Sequence, residues 1–393
     1  MAFDGITVAA LAAELNSCLT GGRISRISQP EKDELLILVR SDSGNHRLRL
    51  SANAGLPLVC LTQTNTASPM TAPVFCMLLR KYLSNGRILS VKQNGLDRIL
   101  DLEIEHRNEL GDPARKHLII ELMGKHSNII LVDEEGVVLD SIKRVPANVS
   151  SLREVLPGKT YFALNTRDQA DTLQLTEEIF REHVAQQPTP LAKALNRGLT
   201  GISPQMSEEL CARAGLDSSM PASSYSESDM EVLFQTLNAL ADDVRAGRFS
   251  PVILYEGDTP KEFSAVEMKL YEGRKTVSFS GISVLIEAYY SEKGKAVRTS
   301  QRTADLRQIV RIRLERAVKK ADLQRKQLAD TQKKEQFRIW GELLNTYGYS
   351  LQGGEKSLTC LNYYMDEERS RFRLIRGLPH PRIQRSILPV TEN

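Results

Sequence analysis

Residues 118–133, Leu-Ile-Ile-Glu-Leu-Met-Gly-Lys-His-Ser-Asn-Ile-Ile-Leu-Val-Asp, are two apolar β runs joined by a loop that carries Lys125, His126, Ser127 and Asn128. A chain with this pattern must bury neighbouring strands in one sheet, which sets the loop at a rigid sheet edge. A short turn between buried strands needs little beyond Gly and Asn. One cation, one titratable ring and two hydrogen-bonding side chains in a row exceed that need. With Asp97-Arg98 one hairpin earlier, they suggest a polyanion, tRNA-like in kind, rather than a metal or a nucleophile.

The surrounding pattern predicts an α+β fold and not a doubly wound sheet. Thr7 is expected to cap a first helix with the apolar face Val8, Leu11, Leu15 and Cys18 or Leu19, stopped by Gly21-Gly22. Strands follow at 23–27, 34–40, 46–50 and 58–61, with a turn at Gln29-Pro30-Glu31-Lys32-Asp33. A second helix starts at Pro73 and stops at Asn85-Gly86, and strands resume at 87–92, 98–106, 116–122, 128–132 and 137–142. From about Thr176 the period turns helical, and residues 191–216 read as two helices around a Gly201-Ile202-Ser203-Pro204 hairpin. Strand-like pieces return at 252–255 and 268–270, before a helix at 282–290. From Thr303 to about Asn345 Leu306, Val310, Leu314, Ala317, Ala321 and Leu328 recur as in one arm of an antiparallel coiled coil, roughly 60 Å long at 1.5 Å per residue. The domain reading is 1–175 with a return segment at 251–295, a helical domain at 176–250, the arm at 296–345 and an atypical tail at 346–393.

The formal net charge of +3 hides an asymmetry, because residues 291–345 carry 15 Lys and Arg against 7 Asp and Glu. A basic rod on a mildly acidic body is either a handle for nucleic acid or a solvated coiled-coil surface. The amino terminus lacks a basic n-region, and Asp4 and Glu14 interrupt any apolar core, so the expected compartment is the cytoplasm. Cys18, Cys60, Cys76, Cys211 and Cys360 show neither metal-ligand spacing nor an even disulfide framework. No nucleophile elbow, Walker loop or zinc signature occurs, so no catalytic residue, cofactor or metal is expected and the chain reads as a binding protein.

Three places carry candidate chemistry. Asp97-Arg98 sits at a strand turn, where Arg98 can meet phosphate and Asp97 can orient it or accept from a base or ribose; composition alone favours a local ion pair capping the hairpin. Gly201, Ile202 and Ser203 can present backbone amides to a phosphate at the next helix, or form a plain αα-corner. Asp4 reads as the carboxylate at the first helix's start, near Thr7, and alternatively as facing the same site as Asp97.

Phe3-Asp4-Gly5-Ile6-Thr7, Leu96-Asp97-Arg98, the block from Glu121 to Asn128, the Gly201–Pro204 hairpin, Phe279-x-x-Ile-Ser-x-Leu-Ile-Glu-x-Tyr-Tyr290 and Gly341-Glu-Leu-Leu344 together resemble the NFACT family, its bacterial RqcH or fibronectin-binding-A-like group. The similarity covers about residues 1–365. It implies an antiparallel-sheet amino-terminal domain like that of formamidopyrimidine-type DNA glycosylases, a helix-hairpin-helix domain and a long coiled-coil helix. It also implies a non-enzymatic ribosome quality control factor, which binds a large ribosomal subunit obstructed by peptidyl-tRNA, recruits alanyl-tRNA and supports template-free alanine tailing. By motif match the Asp-Arg pair needed for tailing is Asp97 and Arg98, with Asp4, Lys125, His126, Ser127 and Asn128 in further tRNA-contacting motifs. The glycosylase nucleophile is absent, since Ala2 and Phe3 stand where Pro and Glu would. An older family name implies the alternative of a fibronectin-binding adhesin. The residues after Tyr364 depart from the family pattern, so a truncated product without the returning helix and the RNA-binding NFACT-R domain is expected, with self-association through the unpaired arm.

Overall fold

The computed structural model describes residues 3–108, 111–150, 153–163, 168–351, 355–365 and 369–373. Contacts divide the chain into two units, Met1–Arg298 and Thr299–Asn393.

The first unit opens with α1 (Gly5–Leu19), whose Ile6, Val8, Leu11, Leu15 and Leu19 are buried in the main core. Its cap is Asp4, not Thr7: the Asp4 carboxylate accepts the Thr7 N–H at 2.9 Å, so Thr7 lies inside the first turn. The helix ends at Thr20, and Gly21 follows with φ of +82°, the left-handed step expected of it. Then come β1 (Arg23–Glu31), β2 (Glu34–Ser41), β3 (Gly44–Ala52), β4 (Pro57–Leu61), α2 (Val74–Leu83), β5 (Arg87–Gln93), β6 (Ile99–Arg107), β7 (Pro113–Glu121), β8 (Asn128–Asp133) and β9 (Val138–Ser141). All nine strands form one sheet in the order β4-β3-β2-β1-β5-β6-β7-β8-β9. Every pairing is antiparallel, which fits short connections between consecutive strands.

Strands β1 and β5 join the two halves of this sheet at Arg23 opposite Arg87, with backbone bonds from Ile24 to Gly86 and from Ile88 to Gly22 beside it. The sheet folds back on itself, so β3 lies against β8, and the Lys143 ammonium bonds the Ala52 carbonyl at the end of β3. Strand β1 is longer than expected. It passes through Pro30 at a register shift between Ser28 and Glu31, where a missing N–H is tolerated, and leaves Lys32-Asp33 as the turn.

A short α3 (Glu177–Phe180), continued by one π-helical turn at Arg181–Ala185, precedes α4 (Leu191–Gly198), α5 (Pro204–Ala214) and α6 (Glu227–Arg245). A small sheet of β10 (Val252–Glu256), β11 (Thr259–Ser264) and β12 (Thr276–Ser278) follows, in the order β11-β10-β12. The strand expected at 268–270 is a 3-10 turn, Lys269–Tyr271, because Glu209 accepts the Lys269 and Leu270 N–H groups and removes them from any ladder.

The helices expected at 282–290 and 303–345 are one helix, α7 (Ile282–Tyr347). Its Ile282, Leu285, Ile286 and Tyr289 pack in the first unit's core. In the second unit Val310, Leu314, Ala317, Ala321 and Leu328 are all exposed, while the side chain of Leu306 lies outside the described residues. The same unit holds a hairpin that the sequence reading missed, β13 (Ser357–Leu361) with β14 (Arg369–Arg373), and Leu358 and Cys360 pack with Leu343 and Leu344. The rest of the stretch read as an atypical tail, residues 374–393, lies outside the described residues.

Candidate functional site

Three segments far apart in sequence meet at the start of α1. The Gly5 N–H donates to the Gly201 carbonyl at 2.9 Å. Gln93, at the end of β5, donates through its side-chain amide to the Gly5 carbonyl at 2.9 Å and to the Asp97 carbonyl at 2.7 Å. A Cβ on Gly201 would collide with Leu96, and one on Gly5 would collide with both Leu96 and Gly201. These glycines therefore serve close backbone approach. The Ser203 hydroxyl donates to Asp4 Oδ2 at 2.9 Å and accepts the Met206 N–H at 3.2 Å, so one side chain ties α5 to α1.

This geometry corrects the phosphate seat expected at Gly201, Ile202 and Ser203. Ile202 and Ser203 are buried, and Asn196 donates to the Ile202 carbonyl at 2.7 Å. Pro204 has no N–H, the Met206 amide is already bonded, and the Asp4 carboxylate stands beside them. An anion would find few donors there and a competing carboxylate. Burial pushes the Asp4 carboxyl up from the ordinary carboxylate range, against the pull of the Thr7 and Ser203 donors.

Asp97 and Arg98 occupy the turn between β5 and β6, as expected, and both are half-buried. Asp97 Oδ1 accepts the Arg98 N–H at 2.7 Å, and the Arg98 carbonyl accepts the Leu122 N–H at 2.9 Å. That last bond joins the Asp97-Arg98 turn to the loop after β7. The two places singled out in the sequence thus lie side by side at one sheet end, with Asp4 one residue from the same joint.

Within the second loop, the expected row of four presenting side chains divides in two. Lys125 and His126, on a 3-10 turn at Gly124–His126, are exposed. Ser127 and Asn128 are buried and turn inward. Ser127 Oγ accepts the Met123 N–H at 2.9 Å. Asn128 accepts the Ile129 and Lys143 N–H groups at 2.9 and 3.1 Å and donates to the Lys143 carbonyl at 2.8 Å. They shape the loop, and Lys125 and His126 are what it offers.

Several supporting residues were not found from sequence. Lys143 holds the Ser127 carbonyl at 3.0 Å as well as Ala52, and burial lowers its pKa although Asp33 opposes that. Glu121, fully buried at the end of β7, takes a 2.5 Å bond from Arg153 and a 3.1 Å bond from Tyr161. Burial works against the Arg153 charge, yet the Glu121 carboxylate holds its pKa above the usual arginine range. A Glu inside the apolar run 118–122 was the signal available for this cluster; nothing local marks Arg153 or Lys143 as its neighbours.

What this sheet end presents is the exposed Lys125 and His126 and the half-buried Arg98. Burial pushes the Cys60 and Cys211 thiols up to about 12, which keeps both protonated and unreactive at neutral pH. Among the described residues no group of three or more His, Cys, Asp or Glu could hold a metal ion, and no helix is long and apolar enough to cross a membrane.

Residues 4–378 match the family model for NFACT N-terminal and middle domains. The chain is 33% identical to the Rqc2 homolog RqcH of Bacillus subtilis over 369 residues, 94% of this chain and 62% of that protein. It is 33% identical to the human ribosome quality control complex subunit NEMF over 141 residues, 36% of this chain and 12% of that protein. The solved amino-terminal part of the fibronectin/fibrinogen-binding protein from Streptococcus suis superposes with a TM-score of 0.62 at 30% identity, covering 74% of this chain and 99% of that one.

Proposed function

The chain belongs to the NFACT family, and on that premise we propose that it acts in ribosome quality control, binding tRNA and the obstructed large ribosomal subunit in support of alanine tailing of stalled chains. The observation that carries this reading is the joining of the Asp97-Arg98 turn to the Lys125-His126 loop at one sheet end, by the bond between the Leu122 N–H and the Arg98 carbonyl. Arg98 and Lys125 supply charge for backbone phosphates, Asp97 accepts from a base or ribose, and His126 adds a donor. Asp4, Ser127 and Asn128 act behind them by fixing the joint and the loop. The basic helix within 291–345 contributes contacts to rRNA, and alanyl-tRNA is the preferred cargo. The proposed compartment is the cytoplasm, and the protein carries out no bond-making chemistry of its own.

The test is tRNA binding across a salt series, comparing the natural chain with an Asp97→Ala/Arg98→Ala variant and using single-stranded DNA as control. Loss of at least about tenfold in tRNA affinity, with a shallower salt slope, is expected in the variant. Equal affinity of both proteins for tRNA at low salt would remove Asp97 and Arg98 from the interface. The likeness to the Streptococcus suis protein supports a second reading, fibronectin binding. Saturable binding of this chain to immobilised fibronectin that tRNA does not displace would favour it.

A further inference from the structure

A cleft of about 440 Å³ lies between the start of α2, the end of β9 and the β1–β2 turn. That volume is within the range of ligand clefts, roughly 300–1,000 Å³. Pro73, Val74, Phe75 and Ile142 make its wall largely apolar, and Lys32 and Arg144 stand at its polar side. Gln29 also lines it, although that residue is only 4% exposed. Its Nε2 donates to the Lys32 carbonyl at 3.0 Å, which fixes the orientation of the amide. Its Oε1 is buried with no partner among the described residues. A buried acceptor left open costs stability, and the fold carries few of them.

We propose that this cleft is a docking site for an extended peptide segment of a protein partner, with an aliphatic side chain as anchor and an acidic residue beside it. The anchor packs against Pro73, Val74, Phe75 and Ile142, and a shift of the Gln29 side chain on docking bares Oε1 to a main-chain N–H of the segment. Lys32 makes no ion pair among the described residues and faces the acidic neighbour, whereas Arg144 is already engaged by Asp140 through two bonds of 2.8 and 2.9 Å. The charge on offer is therefore positive, and the acceptor calls for a donor. The apolar surface continues outward at Val74 and, one turn on, Met77, which are 64% and 51% exposed. Phe75 is only 6% exposed, so the cleft offers little aromatic face for a nucleobase to stack on, and an aliphatic side chain suits it better. The site is separate from the Asp97-Arg98 turn and adds a protein contact to the proposed tRNA contact.

The test uses fluorescein-labelled, end-blocked pentapeptides that differ only in the central residue, Leu, Ile, Phe or Gly, each flanked by Asp, with binding read by anisotropy. Saturable binding of the Leu or Ile peptide, at least about tenfold stronger than of the Gly peptide, is expected. Gln29→Met, which removes the acceptor at similar size, and Val74→Asp, on the exposed rim, are each expected to weaken it about fivefold or more while tRNA binding stays unchanged. Asp97→Ala/Arg98→Ala is expected to leave peptide binding intact. Equal affinity for all four peptides, or unchanged affinity in both cleft variants, would overturn the proposal. Loss of RNA rather than peptide binding in Val74→Asp would overturn it in favour of nucleic acid.

Discussion

Gly124 and Gly201 each open a short loop, and both hold a left-handed backbone, with φ of 61° and 80°. Around Gly124 nothing lies within 4 Å of where a Cβ would stand, whereas at Gly201 Leu96 and Gly5 already occupy that space. The two loops looked alike in sequence as places for a ligand. One offers Lys125 and His126 to solvent, and the other is consumed in joining α5 to α1 and to the turn before β6. A glycine followed by polar residues thus marks a special backbone, and what packs against that backbone decides whether the loop binds or fastens.

Breaking the contrast at its glycines gives the largest expected effect. Gly201→Ala must push backbone against Leu96 and is expected to cost about 3 kcal/mol or more in urea unfolding, while Gly124→Ala, which meets only backbone strain, costs about 1 kcal/mol. Similar losses for the two would mean that the Gly5–Leu96–Gly201 joint is looser than its contacts imply.

A smaller effect separates inward from outward side chains within one loop. Asn128→Ala strands the Lys143 and Ile129 amides and is expected to cost about 2–3 kcal/mol, whereas Lys125→Ala changes stability by no more than about 0.5 kcal/mol. In tRNA binding the order reverses, with Lys125→Ala lowering the salt slope by about one. The smallest effect lies outside both loops, on the strand pair where His117 Nδ1 meets Asp101 at 3.0 Å. The hydrogen bond that His117 donates to the Asp101 carboxylate raises the His117 pKa. The protonated pair therefore stabilises the fold below the ordinary histidine value of about 6.5, and that stability is lost as pH rises through the higher folded value. Partial exposure limits it to at most about 1 kcal/mol. A pH series on Asp101→Asn should lose this step.

Much of the amino-terminal sheet was legible because its strands alternate or run apolar between clear turn residues, and β2, β4, β5 and β8 fall within a few residues of expectation. The misses have local causes. Pro30 suggested a turn but sits at a bulge, and Met268–Leu270 has strand composition while its amides are claimed by Glu209 from another helix. The candidate site was legible as residue types at Asp97, Arg98, Lys125 and His126. Its depth was not, because Asn128 and Ser203 are polar residues whose burial depends on partners 15 and 199 positions away.

By itself the sequence determined the α+β class, the sheet's strand succession, the glycine-stopped helix at the start, the helix pair around Gly201-Ile202-Ser203-Pro204 and the family. Each of these is written in periodicities and turn residues that act over a few positions. Only the tertiary structure decided that β3 closes onto β8 through Lys143, that Asp4, Leu96 and Gly201 share one joint, and which polar side chains face out. Those outcomes rest on contacts between segments whose meeting depends on the packing of the whole unit, a cost and gain that no local pattern records.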